Sequence, residues 1–246
     1  MDTPKRRIIG HTLYSAHLEE ERTVKIFLPP DYDENKSYPI LYCHDGNEFF
    51  SHGRIATFAA DLIAQGKLKP FLIAGIAVNH ERRADDYALF GQRNDAYTRF
   101  VIEECIPFVE QSYAIHKERF YRAMAGISLG AVVTLELVFA NPQLFEQLIL
   151  FSGAFYQEVL TYVNRIPLTH KMSAYMIVGE QEQDVETPSG HYNFLQANRE
   201  MKALLEDKAL QITYQEKTGT HIWGFWQKYI PEVLMWLHQK WHFEEV

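Results

Sequence analysis

Residues 126–130, Gly-Ile-Ser-Leu-Gly, place a serine between two glycines where an apolar run meets a helix-like segment. A serine hydroxyl attacks a carbonyl only when a base takes its proton and donors hold the oxyanion that results. A Gly-x-Ser-x-Gly turn between strand and helix is the pattern of a nucleophile elbow, whose glycines let the two elements approach while the strained turn presents the hydroxyl. The competing reading is a polar turn residue. Ser128 counts as a nucleophile only if the rest of the chain supplies a base, an acid and oxyanion donors.

Chains with such an elbow run in the order serine, acid, histidine. His221, in Thr218-Gly219-Thr220-His221-Ile222-Trp223, stands between the last strand-like run and the last helix-like run, where a base is needed. His170 precedes a strand, His191 opens a helix, and His238 and His242 lie inside or after the final helix. The acid should follow the apolar run 172–179, where Glu180, Glu182 and Asp184 are available; such a carboxylate holds the imidazole tautomer and stabilises the imidazolium. The same run also reads as a solvated loop. For the oxyanion, one donor is the backbone N–H of Leu129, and the loop 42–50 offers a second, its Gly46 permitting close backbone approach. His44 beside Asp45 invites a metal, but no His-Glu-x-x-His or Cys/His cluster accompanies them, so neither metal nor other cofactor is expected.

The elements that must position these residues begin with strand-like runs at 8–17 and 23–28, an antiparallel start stopped by Pro29-Pro30. Strands are then expected at 38–43, 71–78, 120–125, 148–151, 172–178 and 210–215, and helices at 55–65, 97–112, 129–140, 192–205 and 223–241. Strands alternating with helices imply an α/β fold, a mostly parallel central sheet with helices on both faces. No linker or repeat interrupts the 246 residues, so a single domain is expected.

With 47% hydrophobic and 23% charged residues the chain is too apolar for disorder. A net charge of −8 argues against nucleic acid as a partner. The basic clusters at 5–7 and 82–83 read as solvated strand ends or loops, although Arg82, Arg83 and Arg93 are available to an anionic ligand. No signal segment is expected from the polar N-terminal residues, and no run of about 20 apolar residues is present. Cys43 and Cys105 sit in apolar segments as buried free thiols, and a cytoplasmic protein is expected.

Several motifs together resemble the esterase D and enterochelin esterase-like branch of the α/β-hydrolases, over nearly the whole length. The stretch "RTVKIFLPPDYDENKSYPILYCHDGNEFF" is similar to that family's opening, with its strand end and oxyanion loop. "NHERRADDY" looks like its Arg-x-x-Glu-Tyr segment with Asp86 in place of glutamate, and "EECIPFVEQSYAI" resembles a helix of the same family. "AGISLGA" matches the elbow and "GTHIWGFWQKYIPEVLMWL" the Gly-His-x-Trp-x-x-Trp ending. The resemblance implies an α/β-hydrolase fold, with Ser128 as nucleophile, His221 as base, Glu182 as acid, and Leu129 with Gly46 or Asn47 as oxyanion donors. It implies a serine esterase acting on a small-molecule carboxylic ester through an acyl-enzyme, with siderophore lactones, aryl or sugar esters and S-formylglutathione-type thioesters as candidates. An acyltransferase using the same acyl-enzyme and a non-catalytic binding module are the alternatives; no membrane partner is expected and a homo-oligomer stays open. The short interval between Phe151 and Met172 leaves little room for a lid.

Overall fold

The structure, a computed structural model, describes residues 7–241; Lys5 and Arg6 of the first basic cluster, the polar N-terminal residues before them and His242 lie outside the described residues. The chain opens with β1 (Arg7–Ser15) and β2 (Glu20–Leu28), which stops where Pro29-Pro30 withdraws two ladder donors. β3 (Ile40–Cys43), buried throughout, leads into α1 (Gly46–Ser51) and α2 (Ile55–Ala64). β4 (Leu72–Ile76) is followed by a 3₁₀ turn at His80–Arg82, α3 (Arg83–Tyr87) and α4 (Asn94–Arg99). α4 continues through π-helical turns at Phe100–Cys105 into α5 (Ile106–Ser112), whose first turn carries Pro107, a residue with no N–H to give the helical ladder. Then come β5 (Arg122–Ile127), α6 (Leu129–Ala140), β6 (Gln147–Phe151), α7 (Gln157–Arg165) and β7 (Ser173–Gly179). A small hairpin, β8 (Val185–Thr187) with β9 (Gly190–Tyr192), precedes α8 (Phe194–Asp207), β10 (Gln211–Lys217) and α9 (Trp223–Lys240).

Eight strands form one sheet in the order β1-β2-β4-β3-β5-β6-β7-β10, antiparallel only at β1–β2 and β2–β4. The expected mostly parallel α/β sheet is therefore present. Period-two alternation sends Ile40 and Tyr42 to one apolar layer and Leu41 and Cys43 to the other, so helices cover both faces. Because β3, β5, β6, β7 and β10 run in one direction, the segments leaving them all emerge at one sheet edge. In open α/β sheets that carboxyl edge is where ligands bind. Among the described residues no helix is long and apolar enough to cross a membrane.

Three local expectations change. The interval 152–171 holds α7, an amphipathic helix with Val159 and Val163 buried. The run after β7, read as loop, contains the β8–β9 hairpin, and Tyr192 closes that hairpin instead of opening α8. Strands of three residues lie below the length over which alternation can be recognised in sequence.

Candidate active site

Ser128 joins β5 to α6 with φ 58° and ψ −119°, a conformation that residues carrying a Cβ seldom adopt. The neighbouring glycines make it feasible: a Cβ on Gly126 would run into the Gly130 carbonyl, and one on Gly130 would lie 3.0 Å from Asp45 Oδ2. The Ser128 N–H donates to the Phe151 carbonyl at 3.0 Å, and the Ser128 carbonyl accepts from Ala131 and Ala154. Leu129, the first residue of α6, has an N–H with no acceptor inside the helix.

Burial separates the three carboxylates. Glu182 is fully buried, and its Oε2 lies 2.7 Å from His221 Nδ1. Its other oxygen accepts from the Gly179 N–H at 2.8 Å and the Ser152 hydroxyl at 2.7 Å. Ser152 in turn accepts from the Trp226 indole N–H at 2.8 Å. The imidazole of His221 is wedged between Phe194, at 4.2 Å between ring centroids, and Trp226, at 4.9 Å. Asp184 instead projects into solvent, 79% exposed, and bonds the exposed His191. Glu180 accepts from Thr218 at the surface. His170 bonds Thr169 on the surface, and His238 lies within α9, so neither joins this cluster. Sequence reasoning missed Ser152 and the role of Trp226; the available signals were a serine just past a strand end at the functional edge and the Trp-x-x-Trp spacing after His221.

Two cavities meet here, both lined by Ser128, His221 and Arg83. One, of about 440 Å³, is walled by Trp223, Trp226, Ile222 and Asp45. The other, of about 480 Å³, is walled by Leu129, Val132, Tyr156 and Tyr192, the last from the unanticipated hairpin. Gly46 begins α1, and a Cβ there would run into the backbone of Gly75 in β4. Asp45 and Glu48 line the first cavity, whereas Gly46 and Asn47 line neither cavity, and their first-turn amides have no intrahelical acceptor. Of the three arginines available to an anion, Arg93 is spent on the buried Asp86 and on Glu20, and Arg82 is exposed away from both cavities. Arg83 lines them but is paired with Asp45.

His44 and Asp45 have separate partners: Asp45 holds Arg83, while His44 Nδ1 lies 2.8 Å from the Tyr97 hydroxyl in full burial. Among the described residues no group of three or more His, Cys, Asp or Glu side chains is arranged to hold a metal ion. Burial pushes the His44 pKa down to about 4, against the upward pull of Asp45 and with the downward push of Arg83. The folded value lies below that of an unfolded histidine, so between about pH 6.5 and the folded value the unfolded chain binds a proton the native state does not, and stability falls as pH falls through that window. In a pH titration followed by NMR, the His44 ring should keep its neutral-form signals from pH 7 down to about pH 5; protonation already above about pH 6 would contradict a desolvated neutral ring.

Residues 15–237 match the protein family described as "Putative esterase". A Bacillus subtilis (strain 168) relative, "Uncharacterized protein YjcH", is 30% identical over 223 residues, covering 90% of this chain and 93% of its own length. Among solved structures, a ferulic acid esterase superposes with a TM-score of 0.80 at 17% identity, covering 97% of this chain and 99% of that one. The enterobactin esterase of Shigella flexneri superposes with a TM-score of 0.81 at 18% identity, covering 96% of this chain and 60% of its own. Those two likenesses carry the α/β-hydrolase fold, and the family match carries the class of chemistry. The protein belongs to the esterase family and is a carboxylic ester hydrolase.

Proposed function

We propose that the protein is a serine esterase that works through an acyl-enzyme, with Ser128 as nucleophile, His221 as base and Glu182 as the orienting acid. The observation that carries this reading is the fully buried Glu182 carboxylate, 2.7 Å from Nδ1 of a histidine that shares both cavities with Ser128. A carboxylate on Nδ1 keeps the proton on that nitrogen, which leaves Nε2 to take the serine proton and later return it to the leaving alcohol. Leu129, with Gly46 or Asn47 at the start of α1, supplies the oxyanion donors, and water releases the acyl group. The chemistry needs no cofactor.

Two cavities meeting at the serine suit an ester with substantial groups on both sides of the carbonyl, as an aryl or lactone ester has. The Asp45 carboxylate balances Arg83, so neither cavity offers an uncompensated guanidinium to an anionic substrate. The reading takes the chain as one catalytic domain. Its cytoplasmic placement rests on two free, buried cysteines, Cys43 and Cys105.

A fluorophosphonate probe should label Ser128 as shown by peptide mass spectrometry, and a p-nitrophenyl ester should release a burst of about one product per labelled site before steady turnover. Labelling elsewhere, or a protein that resists the probe while folded, would return the binding-module alternative. Adding acceptor alcohols separates hydrolysis from acyl transfer: a transferase converts most of the acyl group to the new ester in water.

A further inference from the structure

The Arg83 guanidinium donates to both oxygens of Asp45, Nε to Oδ1 at 2.8 Å and Nη2 to Oδ2 at 2.8 Å. From Nη2 it also donates to the carbonyl of Ile127 at 3.2 Å. These two partners belong to different segments of the site. Ile127 is the residue before Ser128, at the end of β5. Asp45 is the left-handed residue, φ 51°, that turns the chain from β3 into α1, directly before the amides of Gly46 and Asn47. The Asp45 N–H is itself held by the buried Tyr87 hydroxyl at 3.1 Å, and Arg83 lies over the Tyr87 ring at 5.1 Å. One planar side chain thus ties the turn that presents the nucleophile to the turn that presents the second set of amides. A bidentate guanidinium fixes distance and angle as an ammonium cannot.

Charge gives a second reason for the pair. The Asp45 side chain is 5% exposed and borders the cavity beside Ser128. A desolvated carboxylate so placed opposes the negative charge that builds on the substrate oxygen in the transition state, unless a cation neutralises it.

We infer that Arg83 is a positioning residue for the esterase reaction: through its pairing with Asp45 it sets the spacing between the Ser128 elbow and the oxyanion amides and cancels the Asp45 charge. The inference rests on the triad reading above. It separates Arg83 from a substrate-binding role, in which the same side chain would grip an anionic group of the ester.

The test compares Arg83→Met, Arg83→Lys, Asp45→Asn and the Asp45→Asn/Arg83→Met double variant on a neutral and an anionic p-nitrophenyl ester. Rates are expressed per site titrated with fluorophosphonate, and folding is followed by circular dichroism. Arg83→Met should lower kcat about tenfold to a thousandfold on both esters, with KM changed by less than about threefold, because the lost stabilisation belongs to the transition state. Arg83→Lys should fall between it and the wild type. The double variant should recover about tenfold or more over Arg83→Met, since the unpaired carboxylate is gone. Binding of a boronic acid that forms a tetrahedral adduct should weaken in step with kcat. A kcat within about threefold of wild type in both Arg83 variants would overturn the inference, as would an effect confined to KM for the anionic ester. Should Arg83→Met not fold, the Arg83→Lys and Asp45→Asn comparison decides on the same criteria. A wild-type Ser128 that the probe leaves unlabelled would mean that the triad reading itself has failed, whatever the Arg83 variants do.

Discussion

Replacing Ser128 with alanine is expected to lower kcat/KM by about three to six orders of magnitude while the protein stays folded, because members of a catalytic triad act as one unit. The substitution keeps the Cβ, so the strained backbone at φ 58° meets the same steric cost in both proteins, and the hydroxyl does not cap α6. What is lost is the attacking oxygen; the residual rate then comes from the oxyanion amides and binding alone. Steady-state kinetics on a p-nitrophenyl ester, with a thermal melt to check folding, would measure it. Activity within about tenfold of wild type would remove Ser128 from the reaction.

Glu182→Gln should lower kcat by roughly two to four orders of magnitude, and the reason lies in the donors that surround the carboxylate. Both oxygens accept: one from His221 Nδ1, the other from the Gly179 N–H and the Ser152 hydroxyl. Glutamine can match only one side. If its NH₂ faces His221, the ring must move its proton to Nε2 and can no longer take the serine proton; if it faces Gly179 and Ser152, donors oppose donors in a buried site. Ser152→Ala removes one donor of the three and leaves the Trp226 indole N–H without its acceptor, and a loss of about three- to thirtyfold in kcat is expected. Asp184→Asn should cost less than about tenfold, since that side chain is 79% exposed and bonds the exposed His191. Measuring the three variants side by side, each checked for folding, gives a ranking; Asp184→Asn as the most damaged would transfer the acid to the exposed loop and reject Glu182.

The strand–turn–helix at Ser128 and the place of His221 were legible in the sequence because their constraints are local. Gly126 and Gly130 lie within two residues of Ser128, and the clashes that demand them arise inside the same strand–turn–helix unit. His221 was marked by its position between the last strand and the last helix, and the long amphipathic or apolar runs of α2, α6 and α9 fell within a residue or two of where periodicity placed them. The parallel sheet followed from the alternation of those elements, and the family resemblance followed from motifs spread along the chain.

Tertiary structure decided what depends on desolvation and on partners distant in sequence. Residue type alone leaves Glu180, Glu182 and Asp184 open and the family resemblance favours Glu182; the packing of β6, β7 and α9 then buries that one against His221, 39 residues away, and Ser152, 30 residues away. Trp226 reaches Ser152 across 74 residues, a contact no local pattern encodes. The same holds for charge: Arg83 and Arg93 look alike as sequence, yet one clasps Asp45 at the cavity and the other is consumed by the buried Asp86. Gly46 carries the same lesson, since its missing side chain serves the contact with Gly75 on a neighbouring strand. Residue type and short-range sterics specify which groups can do chemistry, whereas burial and pairing, which exist only once the sheet has formed, select which of them are held where that chemistry is possible.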